Sequence, residues 1–189
     1  MLNQKFKVIV IGGSAGSFPV ATDLLAELPK DFPIPIIFGM HRLKHIRNGF
    51  AEALQLKSKM PVIEVEDKDK IRPGNVYIAP ANYHLLTELG GTFALSTEEM
   101  VHHSRPSIDM LFYSSAYVYG SKMLAVILSG ANKDGADGMR YAHEKGATTI
   151  VQDPDDCKVA TMTKSTINLF EPTKVLSSKE LILFIKNLI

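Results

Sequence analysis

The sequence predicts an α/β fold: a doubly wound, mostly parallel sheet with an antiparallel hairpin excursion. Three observations predict it. Short apolar runs recur along the chain, as expected of strands covered on both faces. Segments with apolar residues at helical spacing alternate with them. One stretch instead alternates polar and apolar residues around Gly90-Gly91, the pattern of a hairpin.

Taken in order, Val8–Ile11 is the first buried strand. Phe18, Ala21, Leu24, Leu25 and Leu28 then fall on one helical face, with Ser17 as N-cap and Pro19 in the first turn. Ile34–Phe38 is the second strand, a helix follows over Asn48–Lys57, and Val62–Val65 is the third strand. Pro73-Gly74 marks a turn before the strand Val76–Ala79. Tyr83–Leu89 and Thr92–Ser96 form the hairpin, and Ser107–Tyr119 a helix. Met123–Leu128 is another buried strand, ending in "SGANKDGADGM". A helix to about Lys145, a strand at Thr148–Val151, and helices at Lys158–Leu169 and Ser178–Leu188 complete the pattern. With no internal repeat, low-complexity tract or linker, residues 1–189 read as one domain.

Composition removes several function classes. Among 189 residues, 21 Lys+Arg nearly balance 20 Asp+Glu, and the two signs are interspersed. Such a surface has no electrostatic pull toward nucleic acid. No run approaches the ~20 apolar residues of a membrane span, and the N-terminal run is broken by glycine without a cleavage site. A cytoplasmic protein is expected. The single cysteine, Cys157, excludes an intrachain disulfide; three acids close to it in "QDPDDCKVA" oppose thiolate formation and argue against a nucleophile.

In an open α/β sheet, ligands bind beyond the carboxyl ends of the strands. Three reactive residues fall there. Ser14 follows the first strand inside Gly12-Gly13-Ser14-Ala15-Gly16, which fits the G-x-S-x-G pattern of a serine on a sharp strand-to-helix turn. His41 follows the second strand, and Asp134 follows Met123–Leu128 in a glycine-flanked loop. Serine, histidine and aspartate are the nucleophile, base and orienting carboxylate of a hydrolytic triad. Their order along the chain, Ser–His–Asp, differs from the Ser–Asp–His of α/β-hydrolases. Phosphate-loop readings fail, because neither G-x-G-x-x-G nor G-x-x-x-x-G-K-[ST] is present.

Each member has rivals. His41 and His45 would share a face if "HRLKH" were helical, but no carboxylate pair or cysteine nearby completes a metal site, so none is expected. His102-His103 reads as surface, His84 as packed or surface, and His143 as solvated. Asp137 also precedes a glycine, but Asp134 lies directly after the strand, before the helix is under way.

These residues resemble the catalytic domain of the CheB-type chemotaxis protein-glutamate methylesterases, over nearly the whole chain. "VIGGSAGS" looks like the family's nucleophile turn, "FGMH" its histidine segment and "ILSGANKDGADGM" its aspartate loop; "RPGNVYIAPANYHL", "RPSIDMLFYSSA" and "GATTIVQDP" follow in family order. The resemblance implies Ser14, His41 and Asp134 as the triad. It implies hydrolysis of glutamate methyl esters on methylated chemoreceptor cytoplasmic helices, with glutamine deamidation in some members and no cofactor. Ala15 and Ala131 are the candidate oxyanion positions. Arg105, in "RPSID", either lines the site or serves as a structural ion-pair partner. Departures from the family pattern are Ala15 for a usual threonine, Ala131-Asn132-Lys133 for a commoner Met-Gly-x, Thr163 for a proline, and the lack of a receiver domain. Two other readings stay open: a degenerate module that binds receptors or another partner without catalysis, and a related hydrolase outside chemotaxis.

Overall fold

The computed structural model describes residues 5–41 and 49–189. Seven strands form one parallel sheet: β1 (Val8–Gly13), β2 (Ile36–Met40), β3 (Val62–Glu64), β4 (Val76–Ile78), β7 (Met123–Ile127), β8 (Thr148–Gln152) and β9 (Lys174–Leu176). Their spatial order is β3-β4-β2-β1-β7-β8-β9. β5 (His84–Thr87) and β6 (Phe93–Ser96) form the expected antiparallel pair apart from that sheet.

Alternation along β1 divides the core in two. Ile9 and Ile11 join Leu24, Leu25 and Leu28 on one face, under α1 (Phe18–Glu27), α2 (Phe50–Gln55) and α6 (Ser178–Lys186). Val8 and Val10 join Ile108, Phe112, Met139 and Met162 on the other, under α3 (Ile108–Tyr119), α4 (Ala136–Glu144) and α5 (Thr161–Leu169). All of these core side chains are at most 1% exposed, so both sheet faces are sealed.

Three local outcomes differ from the expected elements, the first two of which position the site. β2 begins two residues later than the apolar run, after Pro35, which has no N–H to give the ladder. It then runs on through Gly39 and Met40, so His41 directly follows the strand. β1 likewise continues through Gly12 and Gly13, which pair with Gly39 and Met40. The third is β9, which the sequence reading missed. It is a three-residue edge strand with two exposed residues, too short to stand out.

The expected helix start at Asn48 lies outside the described residues; the described part begins at Phe50. Among the described residues, no helix is long and apolar enough to cross a membrane.

Candidate active site

The chain leaves β1 to one side to form β2 and later returns to β1's other side as β7. The strand order therefore reverses at β1, and ligands of open α/β sheets bind beyond the carboxyl ends at such a reversal. Ser14 directly follows β1, His41 directly follows β2, and Asp134 lies in the loop after β7.

Ser14 sits on a tight turn. Its amide donates to Ser129 O at 2.9 Å, and its carbonyl accepts from the amide of Ser17 at 3.1 Å. Ser17 occupies the N-cap position of α1 but does not cap it through its side chain. Its buried hydroxyl instead donates to Ser14 O at 2.6 Å, closing the turn on itself. The turn admits only small residues. Gly16 has φ +86°, and a Cβ there would stand 2.6 Å from Lys158 Cβ and 2.7 Å from Ser129 Oγ. Ser129, which sequence reasoning did not single out, donates to Ala15 O at 2.7 Å and so ties the end of β7 to the turn.

His41 stands beside this turn because its amide donates to Gly13 O at 3.2 Å, extending the β1–β2 ladder by one step. The ring is half-buried, and its Nε2 donates to Asp134 Oδ2 at 2.6 Å. This is a short, charge-assisted bond. It fixes the tautomer and leaves Nδ1 as the basic nitrogen. Nδ1 lies 3.5 Å from Ser104 Oγ. Among the described residues, Ser14 Oγ makes no hydrogen bond to the ring.

Asp134 is fully buried and sits at the N-terminus of α3. Oδ2 also accepts from the amide of Ile108 at 2.8 Å, while Oδ1 accepts from the amide of Asp109 at 3.1 Å and from Ser107 Oγ at 2.9 Å. Burial pushes this carboxyl up, but the bond from His41 and the amides of Ile108 and Asp109 outweigh it and hold the group below its ordinary value. The charge that orients His41 is thus kept on by a helix N-terminus.

The remaining sequence candidates separate. No acceptor among the described residues takes the amides of Ala15 or Ala131, and both residues are exposed in the loops beyond those strand ends. Arg105 is the third, and its guanidinium is already engaged. Nη1 donates to Thr97 O at 2.6 Å and Glu98 O at 2.8 Å, and Nη2 and Nε to Asn82 Oδ1 at 2.9 and 3.2 Å. It clamps the segment between the hairpin and α3, through carbonyls rather than an ion pair.

Of the histidines, His84 is buried, with Nδ1 accepting from the amide of Ser107. His102, expected at the surface, turns inward toward Asp109, and His103 stays exposed. His45 lies outside the described residues. Cys157 is half-buried, and that burial, with Asp156 and Asp153 nearby, pushes its thiol up, away from a nucleophile. Ser107, Ser129 and Asn132, whose Oδ1 accepts from the amide of Asp134 at 3.1 Å, support the site without any sequence signal beyond being short polar residues in loops.

The family model of the CheB methylesterase matches residues 9–185. A relative from Leptospira interrogans is 40% identical over 178 residues, 94% of this chain and 92% of its own length. A protein-glutamate methylesterase/protein-glutamine glutaminase from Nitrosospira multiformis is 37% identical over 183 residues. Those residues are 97% of this chain but 52% of that longer protein. The crystal structure of the Thermotoga maritima CheB methylesterase catalytic domain superposes with a TM-score of 0.91 at 34% identity, covering 97% of this chain and 99% of that one. The sheet order, the small hairpin and the sequence agree on one conclusion: the chain belongs to the CheB methylesterase family.

Proposed function

We propose that this chain is a carboxylic ester hydrolase that demethylates glutamate methyl esters on chemoreceptor cytoplasmic helices, with Ser14 as nucleophile. The observation that carries the reading is the 2.6 Å His41–Asp134 bond at the strand end beside the G-x-S-x-G turn. The relatives' designation as protein-glutamate methylesterase/protein-glutamine glutaminase supplies the substrate class.

In this mechanism Ser14 Oγ attacks the γ-carbonyl carbon while His41 Nδ1 takes its proton. Asp134 stays ionised and stabilises the imidazolium. The amides of Ala15 and Ala131 hold the oxyanion, a contribution of about 3 kcal/mol per donor. Collapse of the tetrahedral intermediate breaks the ester C–O bond, and His41 returns the proton to the departing methanol. Water then attacks the acyl-serine with His41 as base, releasing the glutamate carboxylate and restoring Ser14. With a glutamine amide, the leaving group is ammonia and the steps are otherwise the same.

The test is methanol release from methylated receptor helices by wild type and Ser14→Ala. Release by wild type and loss in the variant is expected; equal release from both sinks the mechanism. A phosphonate probe that labels wild type but not Ser14→Ala identifies the nucleophile independently of the substrate.

A further inference from the structure

A second histidine–aspartate pair lies behind His41–Asp134, and its spacing is not that of a hydrogen bond. His102 Nε2 stands 3.4 Å from Asp109 Oδ2, and Asp137 brings a carboxylate oxygen within 4.8 Å of both ligand atoms. A charge-assisted N–H···O bond would be about 2.7–2.9 Å long. Two ligands each about 2.1 Å from a tetrahedral zinc ion stand about 3.4 Å apart.

The Asp109 side chain is 4% exposed. Its Oδ1 accepts from the amide of Gly138 at 2.7 Å. Among the described residues Oδ2 accepts no hydrogen bond, and the group beside it is the His102 imidazole at 3.4 Å, so this buried oxygen aimed into the cluster is only partly satisfied. The competing cation is Arg140, whose Nη2 is 3.3 Å from Asp137 Oδ1 in a half-exposed pair. Such a pair contributes little, and it engages one oxygen only.

We infer that His102, Asp109 and Asp137 form a site for a divalent ion of the zinc type, completed by water. One imidazole nitrogen and two carboxylate oxygens suit zinc better than calcium or magnesium, which take all-oxygen shells. The three ligands come from the segment before α3, from the first turn of α3 and from the first turn of α4. The ion therefore joins three segments around the helix N-terminus that holds Asp134. Its role is to brace that junction; it does not touch the reacting atoms.

The test uses tag-free protein stripped with a chelator and titrated with zinc. One equivalent should bind, raising Tm by about 5 °C at 100 µM ion. His102→Gln and Asp137→Asn should each abolish the shift, whereas His103→Gln, at the exposed neighbouring ring, should keep it. Cobalt in place of zinc should give a visible d–d band in wild type and His103→Gln only, a readout independent of activity. No shift in wild type overturns the inference, and so does a shift of equal size in His102→Gln and Asp137→Asn.

Discussion

The first turn of α3 has a histidine–aspartate pair on each side, and the two are built differently. Asp134 receives four hydrogen bonds, from His41, Ser107 and the amides of Ile108 and Asp109, and is held below its ordinary pKa. Asp109 receives one, from the amide of Gly138. Burial, reinforced by the charges of Asp134 and Asp137, pushes it up to about 6. Both carboxylates are nearly inaccessible. What separates them is the number of donors aimed at each: depth costs a carboxylate its charge unless N–H groups replace the lost water.

The largest expected effect comes from breaking the His41–Asp134 pair. Asp134→Asn leaves the shape but presents an amide to His41 Nε2 and favours the wrong tautomer. We expect kcat to fall by about 10⁴, read as methanol release with folding checked by denaturant titration. A loss below tenfold would mean that the 2.6 Å bond does not orient the base.

The second pair gives an effect on stability. Asp109 has a folded pKa raised above its unfolded value, so its contribution is fully present below the unfolded value near 4 and is lost as pH rises through about 6. In chelator, wild type should lose about 3 kcal/mol from this group across that window, and Asp109→Asn should flatten the curve. Chemical denaturation at a series of pH values measures it; parallel curves for the two proteins would remove the contrast between the carboxylates.

Ser107→Ala tests whether donor number is the cause. Ser107 Oγ bonds Asp134 Oδ1 and accepts from the amide of Met110. The variant should lose about 1 kcal/mol of stability. Removing a donor to the charged form should also move the acid limb of the activity profile upward. An unmoved limb would show that the two amides and His41 suffice.

The smallest effect is expected at Ser104→Ala. Its 3.5 Å contact with His41 Nδ1 is at the edge of hydrogen bonding, so kcat should change by less than about tenfold. A larger loss would make Ser104 a positioning residue for the base.

The residues themselves announced much of this molecule. Val8–Ile11 and Met123–Leu128 are apolar on every residue, which only a strand covered on both faces requires. Ser14, His41 and Asp134 were legible because each follows such a run, and a parallel sheet carries all strand ends to one edge. Gly90-Gly91 marked the hairpin through local turn chemistry. These signals are written in nearest-neighbour patterns, so no knowledge of tertiary contacts was needed to read them.

The tertiary structure decided the rest. β9 exists because β8 offers Lys174–Leu176 an edge to pair with; three residues are too few to declare a strand by themselves. Ser17 looked like a helix cap, but the carbonyl of Ser14 in the turn before it took its hydroxyl. Arg105 was equally suited to a substrate or a scaffold, and the carbonyls of Thr97 and Glu98 together with the Asn82 side chain claimed it. His102 turns toward Asp109 on a backbone with φ of +48°, a conformation that local propensity does not favour. A residue's type sets what bonds it can make. Which of them it makes depends on groups that only folding brings within 3 Å.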